Sequence, residues 1–189
     1  MCSPMGHALM GWSASMKPWF SLDHPRKWLS LPLIGILSVL PDFDFIPGYL
    51  AGNPNLYHHG WTHSLAFCFI VAGIGTVLAK KIHPKNYFLP GRVILFIILT
   101  HILLDVFSND QSPPYGMPIF WPASGRYMMA PVPIFMDVYK SSISGTFMLS
   151  LINLHNLKTM SSELAILGPV TLLVYLWNRR QAHPAGKNP

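Results

Sequence analysis

Two aspartates close an apolar run in Pro41-Asp42-Phe43-Asp44, and fourteen residues after Asp44 comes His58-His59-Gly60-Trp61-Thr62-His63. A third acid, Asp105, lies within another apolar run, with His101 four residues before it. Charged residues are 11% of the chain and only seven of its 189 residues are acids, so these three are a large share of its negative charge. A carboxylate in apolar surroundings costs on the order of several kcal/mol unless something neutralises it. Arg and Lys are nearly absent from these stretches, so the expected partner is a metal ion. Any fold of this chain has to bring the acids and histidines together.

The bulk composition says where that fold sits. Hydrophobic residues make up 51%, mean hydropathy is +0.35, and apolar runs recur along the chain, which points to a membrane rather than a soluble globule. Net charge is +6 and the pI about 9.5. The basic residues, however, fall in breaks between apolar runs: Lys17, Arg26 and Lys27, then Lys80, Lys81, Lys85 and Arg92, then Arg179 and Arg180. That is how the loops of a membrane protein are charged. No basic helix face emerges, so nucleic acid is not an expected partner. Cys2 and Cys68 make neither a disulfide framework nor a cysteine-rich zinc motif. The N-terminus lacks a charged n-region and a small-residue cleavage site, and no removable signal peptide is expected.

Along the chain, residues 6–16 read as a short helix with His7 at its start. Residues 29–40 are a second apolar segment that ends at Pro41, because proline removes a donor and pushes the residue before it out of helix. Residues 46–57 carry Gly48, Gly52 and Pro54 and read as a loop. Residues 61–79 are uncharged and close to the ~20 that span a bilayer. Residues 93–107 are the next apolar helix, and these two are the best membrane spans. His101 and Asp105, at i and i+4, share a face of that helix. A polar, Pro-rich connection covers 108–140. Residues 141–155 are apolar but broken by Ser144, Ser150 and Asn153. Residues 164–177 form a last helix, with Ser161, Ser162 and Glu163 as its cap and Pro169 as a kink. Several runs are short: twelve residues at ~1.5 Å each cover ~18 Å of a ~30 Å hydrocarbon core. The expected class is all-α, a membrane bundle of about five to six apolar helices, with one domain over 1–178 and a basic, disordered tail over 179–189.

The candidate ligands are His7, Asp42, Asp44, His58, His59, His63, His101 and Asp105, an imidazole and carboxylate set of the zinc or manganese type. A lone His-x-x-x-Asp on an apolar helix is ordinarily an internally satisfied polar pair. What raises the combination above that reading is that all of these residues fall at the ends of apolar segments. Asp42, Asp44 and Asp105 supply three negative charges and a bridging hydroxide a fourth, which two divalent ions neutralise. Such a pair lowers the pKa of water to near ~7 and clamps both oxygens of a displacement. Thr62 reads as support for His63. Ser64 lacks a Gly-x-Ser-x-Gly context and is not read as a nucleophile. His24, His83, His155 and His183 read as loop, core or tail histidines. Phe120-Trp121-Pro122 reads equally as a pocket wall or an interfacial aromatic belt.

In combination and order, Gly6-His7, Leu40-Pro41-Asp42-Phe43-Asp44, His58 to Ser64, His101-Ile102-Leu103-Leu104-Asp105 and Gly116 to Pro122 resemble the YdjM-like family of membrane-bound, metal-dependent hydrolases. The cores of that family are similar to the helical zinc-dependent phospholipase C fold. The match covers residues 6–122. The resemblance implies metal ligation by His7, Asp42, Asp44, His58, His63, His101 and Asp105. Family members commonly carry Arg where this chain has His59, so an always-charged fork is replaced by a group that titrates near ~6.5. That leaves His59 as an anion site at low pH, an extra ligand or an acid/base group.

The expected function is a hydrolase that acts on a phosphoester or lipid-like substrate with two zinc ions, a third zinc or manganese being open alternatives. Asp44 and His59 are the first choices for proton transfer. The rival reading is a non-enzymatic membrane protein that binds or moves metal. A rival of another kind is a structural member whose metal only ties segments together. Basic loops stay inside, which places Lys17–Lys27 and Lys80–Arg92 in the cytoplasm and all seven ligands on the far face of a bacterial inner membrane. Residues 141–155 are then not expected to cross.

Overall fold

The computed structural model describes residues 1–16, 27–82, 91–111 and 113–182. Seven α-helices are formed among them: α1 (Pro4–Ser15), α2 (Lys27–Ser38), α3 (Phe45–Leu50), α4 (Leu65–Ile82), α5 (Gly91–Val106), α6 (Ser144–Ser150) and α7 (Leu154–Ala182). Three 3-10 turns, Leu40–Asp44, Pro54–Leu56 and Trp61–His63, link α2, α3 and α4. Strand character is limited to two isolated bridges, Ser108 with Phe135 and Met117 with Met128. The all-helical class holds.

Helix α5 is the axle. Val93, Ile94, Ile97, Ile98, His101, Ile102, Leu104 and Asp105 are buried on it, against α1, α2 and α4. Small residues let these helices close up, as they do in membrane bundles. A Cβ at Gly11 of α1 would collide with Ser38 Oγ of α2 and press on Ile97 of α5. One at Gly75 of α4 would drive into Ile94. Helix α7 crosses α1, where Ser13 Oγ donates to Thr171 Oγ1 at 2.9 Å. Ser3 caps α1 by accepting from the Gly6 N–H, and Pro4 follows where its missing N–H costs nothing.

The connection from 107 to 143 straps over one end of this bundle. Val106 and Phe107, at the open C-terminus of α5, receive the N–H groups of Ala130 (2.8 Å), Ile134 (2.7 Å) and Phe135 (3.1 Å). Carbonyls that would be orphaned at a buried helix end are thereby satisfied. The Leu65 N–H at the head of α4 reaches Ile119 O at 2.9 Å.

Several expectations need correction. Among the described residues one helix is long and apolar enough to cross a membrane alone: α7, over Leu154–Gln181, which contains an 18-residue stretch of mean hydropathy 1.4. Leu31–Ser38 and Leu40–Leu50 meet that test only together, with a 59° bend at the break at Val39. The segments read as the best spans form helices of 18 and 16 residues, and α5 buries half of its residues against its neighbours while Phe96 and Leu103 are exposed. Residues 46–57 are not wholly loop. Gly48 lies inside α3, packed against the carbonyls of Asn53 and Pro54 where a Cβ would not fit. Ser161, Ser162 and Glu163 do not cap a helix either, since α7 starts at Leu154 and they lie inside it, and Pro169 does not interrupt it. The 141–155 run yields only the seven residues of α6 and the start of α7. Helix α7 continues through Arg179 and Arg180 to Ala182, while residues 183–189 lie outside the described residues. So do His24, His83 and most of the basic loops at 17–27 and 80–92.

Candidate metal centre

Four elements deliver the ligands to the end of α5 that the strap covers. The 3-10 turn after α2 carries Asp42 and Asp44 inward, because Pro41 ends the helix and the Asp42 N–H turns back to Val39 O at 3.1 Å. The 3-10 turn before α4 carries His63. One turn of α5 separates His101 from Asp105, and the first turn of α1 brings His7. His7, His63 and His101 are fully buried, and Asp105 is 3% exposed.

One group is a near-tetrahedron of donor atoms. His101 Nδ1 donates to Ser38 O at 2.7 Å, which fixes its tautomer and leaves the Nε2 lone pair inward. That Nε2 lies 3.3 Å from His63 Nε2, 3.1 Å from Asp105 Oδ2 and 3.5 Å from Asp42 Oδ1. His63 Nε2 stands 3.5 Å from Asp42 Oδ1 and 3.7 Å from Asp105 Oδ2. Donors ~2.0–2.1 Å from a tetrahedral zinc ion stand ~3.3–3.4 Å apart. Five edges of the set therefore match the shell of such an ion. Both Asp42 oxygens and Asp105 Oδ2 are buried without a hydrogen bond. Buried carboxylate oxygens left in that condition need a cation, so this donor set fits a divalent metal.

The second group is His58, His59 and His63. Asp44 orients two of them: its Oδ1 lies 3.0 Å from His58 Nδ1, and its Oδ2 3.2 Å from His63 Nδ1. Thr62 Oγ1 donates to Asp44 Oδ2 at 2.9 Å and lies 3.1 Å from His63 Nδ1, so Thr62 backs the imidazole as its position suggested. Both oxygens of Asp44 thus face ring nitrogens and a hydroxyl. His59 Nδ1 is 3.2 Å from Asp110 Oδ2, which also accepts the Gly116 N–H at 2.8 Å. The remaining nitrogens, His58 Nε2 and His59 Nε2, are buried and unbonded. His59 has φ 59°, a left-handed backbone that costs an ordinary side chain on the order of 1–3 kcal/mol and marks sites where geometry is imposed. Burial, reinforced by the neighbouring His59 and Lys140, holds His58 well below the ordinary imidazole pKa. Burial also lowers His59, against the pull of Asp110. Both rings are therefore held neutral, the form that binds metal.

His7 stands between ligand and support. Its ring stacks on His101 at 3.8 Å, and its Nε2 lies 3.4 Å from Asp105 Oδ1, outside the two groups just described. The same Oδ1 accepts the Cys2 N–H at 2.7 Å. Next along the chain, the Ser3 N–H donates to Glu163 Oε1 of α7 at 2.7 Å and Ser3 Oγ to Oε2. Glu163 is fully buried. Asp110 and Glu163 were missed in the sequence. The one signal for them was scarcity, since each is one of only seven acids.

Two cavities adjoin the centre. One of about 930 Å³ is lined by Asp44, His58 and Thr62 together with Phe43, Trp61 and Tyr127. The other, of about 440 Å³, reaches Asp42 from the side of α6 and α7. Trp121 packs 6.1 Å from Trp61 and lines neither. Ser64 serves as a cap for α4, donating to Trp61 O at 2.7 Å and accepting from the Phe67 N–H at 3.2 Å. His155 meets Asp137 instead of the centre, 3.4 Å away.

No curated protein and no solved structure matches this chain. The sequence profile of the YdjM inner membrane protein family matches residues 1–182, which include every candidate ligand and the length of α7. The chain therefore belongs to the YdjM inner membrane protein family.

Proposed function

We propose that this protein is a membrane-bound, metal-dependent hydrolase acting on a phosphoester or lipid-like substrate. The observation that carries the reading is the set Asp42, His63, His101 and Asp105, whose imidazole nitrogens stand 3.1–3.7 Å from each other and from the two carboxylates, with both Asp42 oxygens and Asp105 Oδ2 unbonded. Four protein donors close a tetrahedral ion, which is the pattern of a structural site. The argument for hydrolysis therefore rests on the second group. His58 and His59 leave positions open, and His58 lines the 930 Å³ cavity through which a substrate can arrive. His63 belongs to both groups, but Asp44 and Thr62 engage its Nδ1, so its Nε2 would complete the closed set and His58 and His59 would hold a second ion.

When bound, zinc or manganese there supplies Lewis-acid polarisation of a phosphoryl oxygen and a more acidic water. The chain supplies the rest. Asp44 holds His58 and His63 by their Nδ1 atoms, so their other nitrogens keep a fixed direction. Asp110 does the same for His59 and leaves its Nε2 to accept or deliver a proton when it holds no ion. Phe43, Trp61 and Tyr127 give the cavity apolar walls.

The site lies near the Leu154 end of α7, and Arg179 and Arg180 mark the other end. The positive-inside bias puts that arginine end in the cytoplasm and the centre on the far side. The test is phosphate release from short phosphomonoesters and phosphodiesters by the protein in mild detergent, with zinc or manganese added. Activity that a chelator abolishes and either metal restores supports a hydrolase. Bound metal with no turnover of either ester class favours the non-enzymatic reading. Single cysteines at Asn55 and Gln181, in a chain lacking Cys2 and Cys68, test the orientation. Labelling of the Gln181 position alone in intact cells would reverse it.

A further inference from the structure

The 440 Å³ cavity has the size of a small-molecule site and an apolar wall of Val39, Phe45, Phe147 and Leu151. Two charged residues line it, Asp42 of the donor set and Lys140 of the strap. The ion pairs around the centre join histidines to aspartates. The Lys140 ammonium instead stands over the Phe45 ring, 5.5 Å from its centroid. A cation on an aromatic face at the rim of an apolar groove, beside a candidate metal, is arranged to meet an anion that carries a hydrocarbon chain. The rim also points to where that chain comes from. Leu149 is 74% exposed and Ile152 83%, next to groove residues Phe147 and Leu151. Apolar surface that open, in an inner membrane protein, faces lipid.

We propose that this groove binds a single-chain anionic lipid, a long-chain phosphate monoester, with its hydrocarbon chain along Phe45, Phe147 and Leu151 and its phosphate at Lys140. The groove opens beside Asp42 of the closed set, apart from the open group and the cavity that serves it, so this is a lipid-binding site beyond the hydrolase reading and not the seat of its reaction.

The experiment uses full-length, metal-loaded protein in a bulky sterol-type detergent, titrated with dodecylphosphonate, which is not cleaved. Methylphosphonate and dodecyltrimethylammonium are the controls, and the metal content of every sample is measured. Wild type is expected to bind dodecylphosphonate about tenfold or more tighter than either control. Lys140→Ala removes that preference over the cationic amphiphile, and Lys140→Arg keeps it. Phe147→Trp and Leu151→Trp, which fill the groove, abolish the advantage over methylphosphonate without changing methylphosphonate affinity. Equal affinity for the anionic and cationic amphiphiles makes the groove a plain lipid contact and overturns the proposal. So does a chain-length advantage that survives both tryptophan variants. Samples that hold no metal refute the hydrolase reading instead, which separates the two failures.

Discussion

The two halves of the centre use the same residue types to opposite ends. Around His101, donor atoms face one another: His101 Nε2, His63 Nε2, Asp42 Oδ1 and Asp105 Oδ2 point into one space, and three carboxylate oxygens there lack any hydrogen bond. Around His58, the carboxylates stand behind the rings: Asp44 and Asp110 hold Nδ1 atoms, the Nε2 atoms of His58 and His59 are buried without a hydrogen bond, and His58 lines a cavity. In the first half the aspartate oxygens are left unspent for a cation, and in the second they are spent on ring nitrogens and a hydroxyl. An acid near a histidine is therefore a ligand or an orienter according to which of its atoms are already spent.

Substitutions break that contrast in order of size. Asp105→Ala has the largest expected effect. It removes a donor from the closed set and strips partners from His7 and the Cys2 N–H, with a cost of about 3–5 kcal/mol and loss of metal. Thermal melts with elemental analysis check both, and a variant with wild-type Tm and metal content would make Asp105 an ordinary helix residue. Asp44→Ala should keep the fold but lower metal affinity about 10–100-fold, the cost of an unsupported ligand. Chelator competition measures it. A loss as complete as that of Asp105→Ala would turn Asp44 from orienter into ligand.

Much of the first half was legible in sequence. Proline before paired aspartates, an i, i+4 His-Asp pair and a histidine at a helix start each reported local geometry. What periodicity does not encode is a partner far along the chain. Glu163 looked like a helix cap because serines precede it, yet it is the acceptor for Ser3, 160 residues away. Asp44 reads as a ligand beside Asp42 in the sequence; what the sequence does not encode is that its two oxygens face His58, His63 and Thr62. The start of α7 was misjudged for a related reason. Leu154 to Thr159 are polar on the side where Asn156 holds the strap at Tyr139, so they lack the apolar signature of a helix.

Two smaller effects sharpen the comparison. Glu163→Ala should cost about 1–3 kcal/mol by leaving the Ser3 N–H and hydroxyl unpaired in a buried site. Glu163→Gln should recover part of that, and neither should empty the closed set, as melting with metal analysis will show. His59→Asn tolerates φ 59° and gives up the inward nitrogen. It should change stability by less than about 1 kcal/mol and lower occupancy of the open group alone. Loss of all metal from His59→Asn would mean that the two groups act as one.

Metal content tests the central claim most directly. Protein expressed with added zinc or manganese, purified in mild detergent and dialysed, should carry about two divalent ions per chain, and a chelator should lower its Tm as the buried carboxylates lose their counter-charge. Protein that holds no metal under those conditions, and whose Tm a chelator leaves unchanged, would contradict the account.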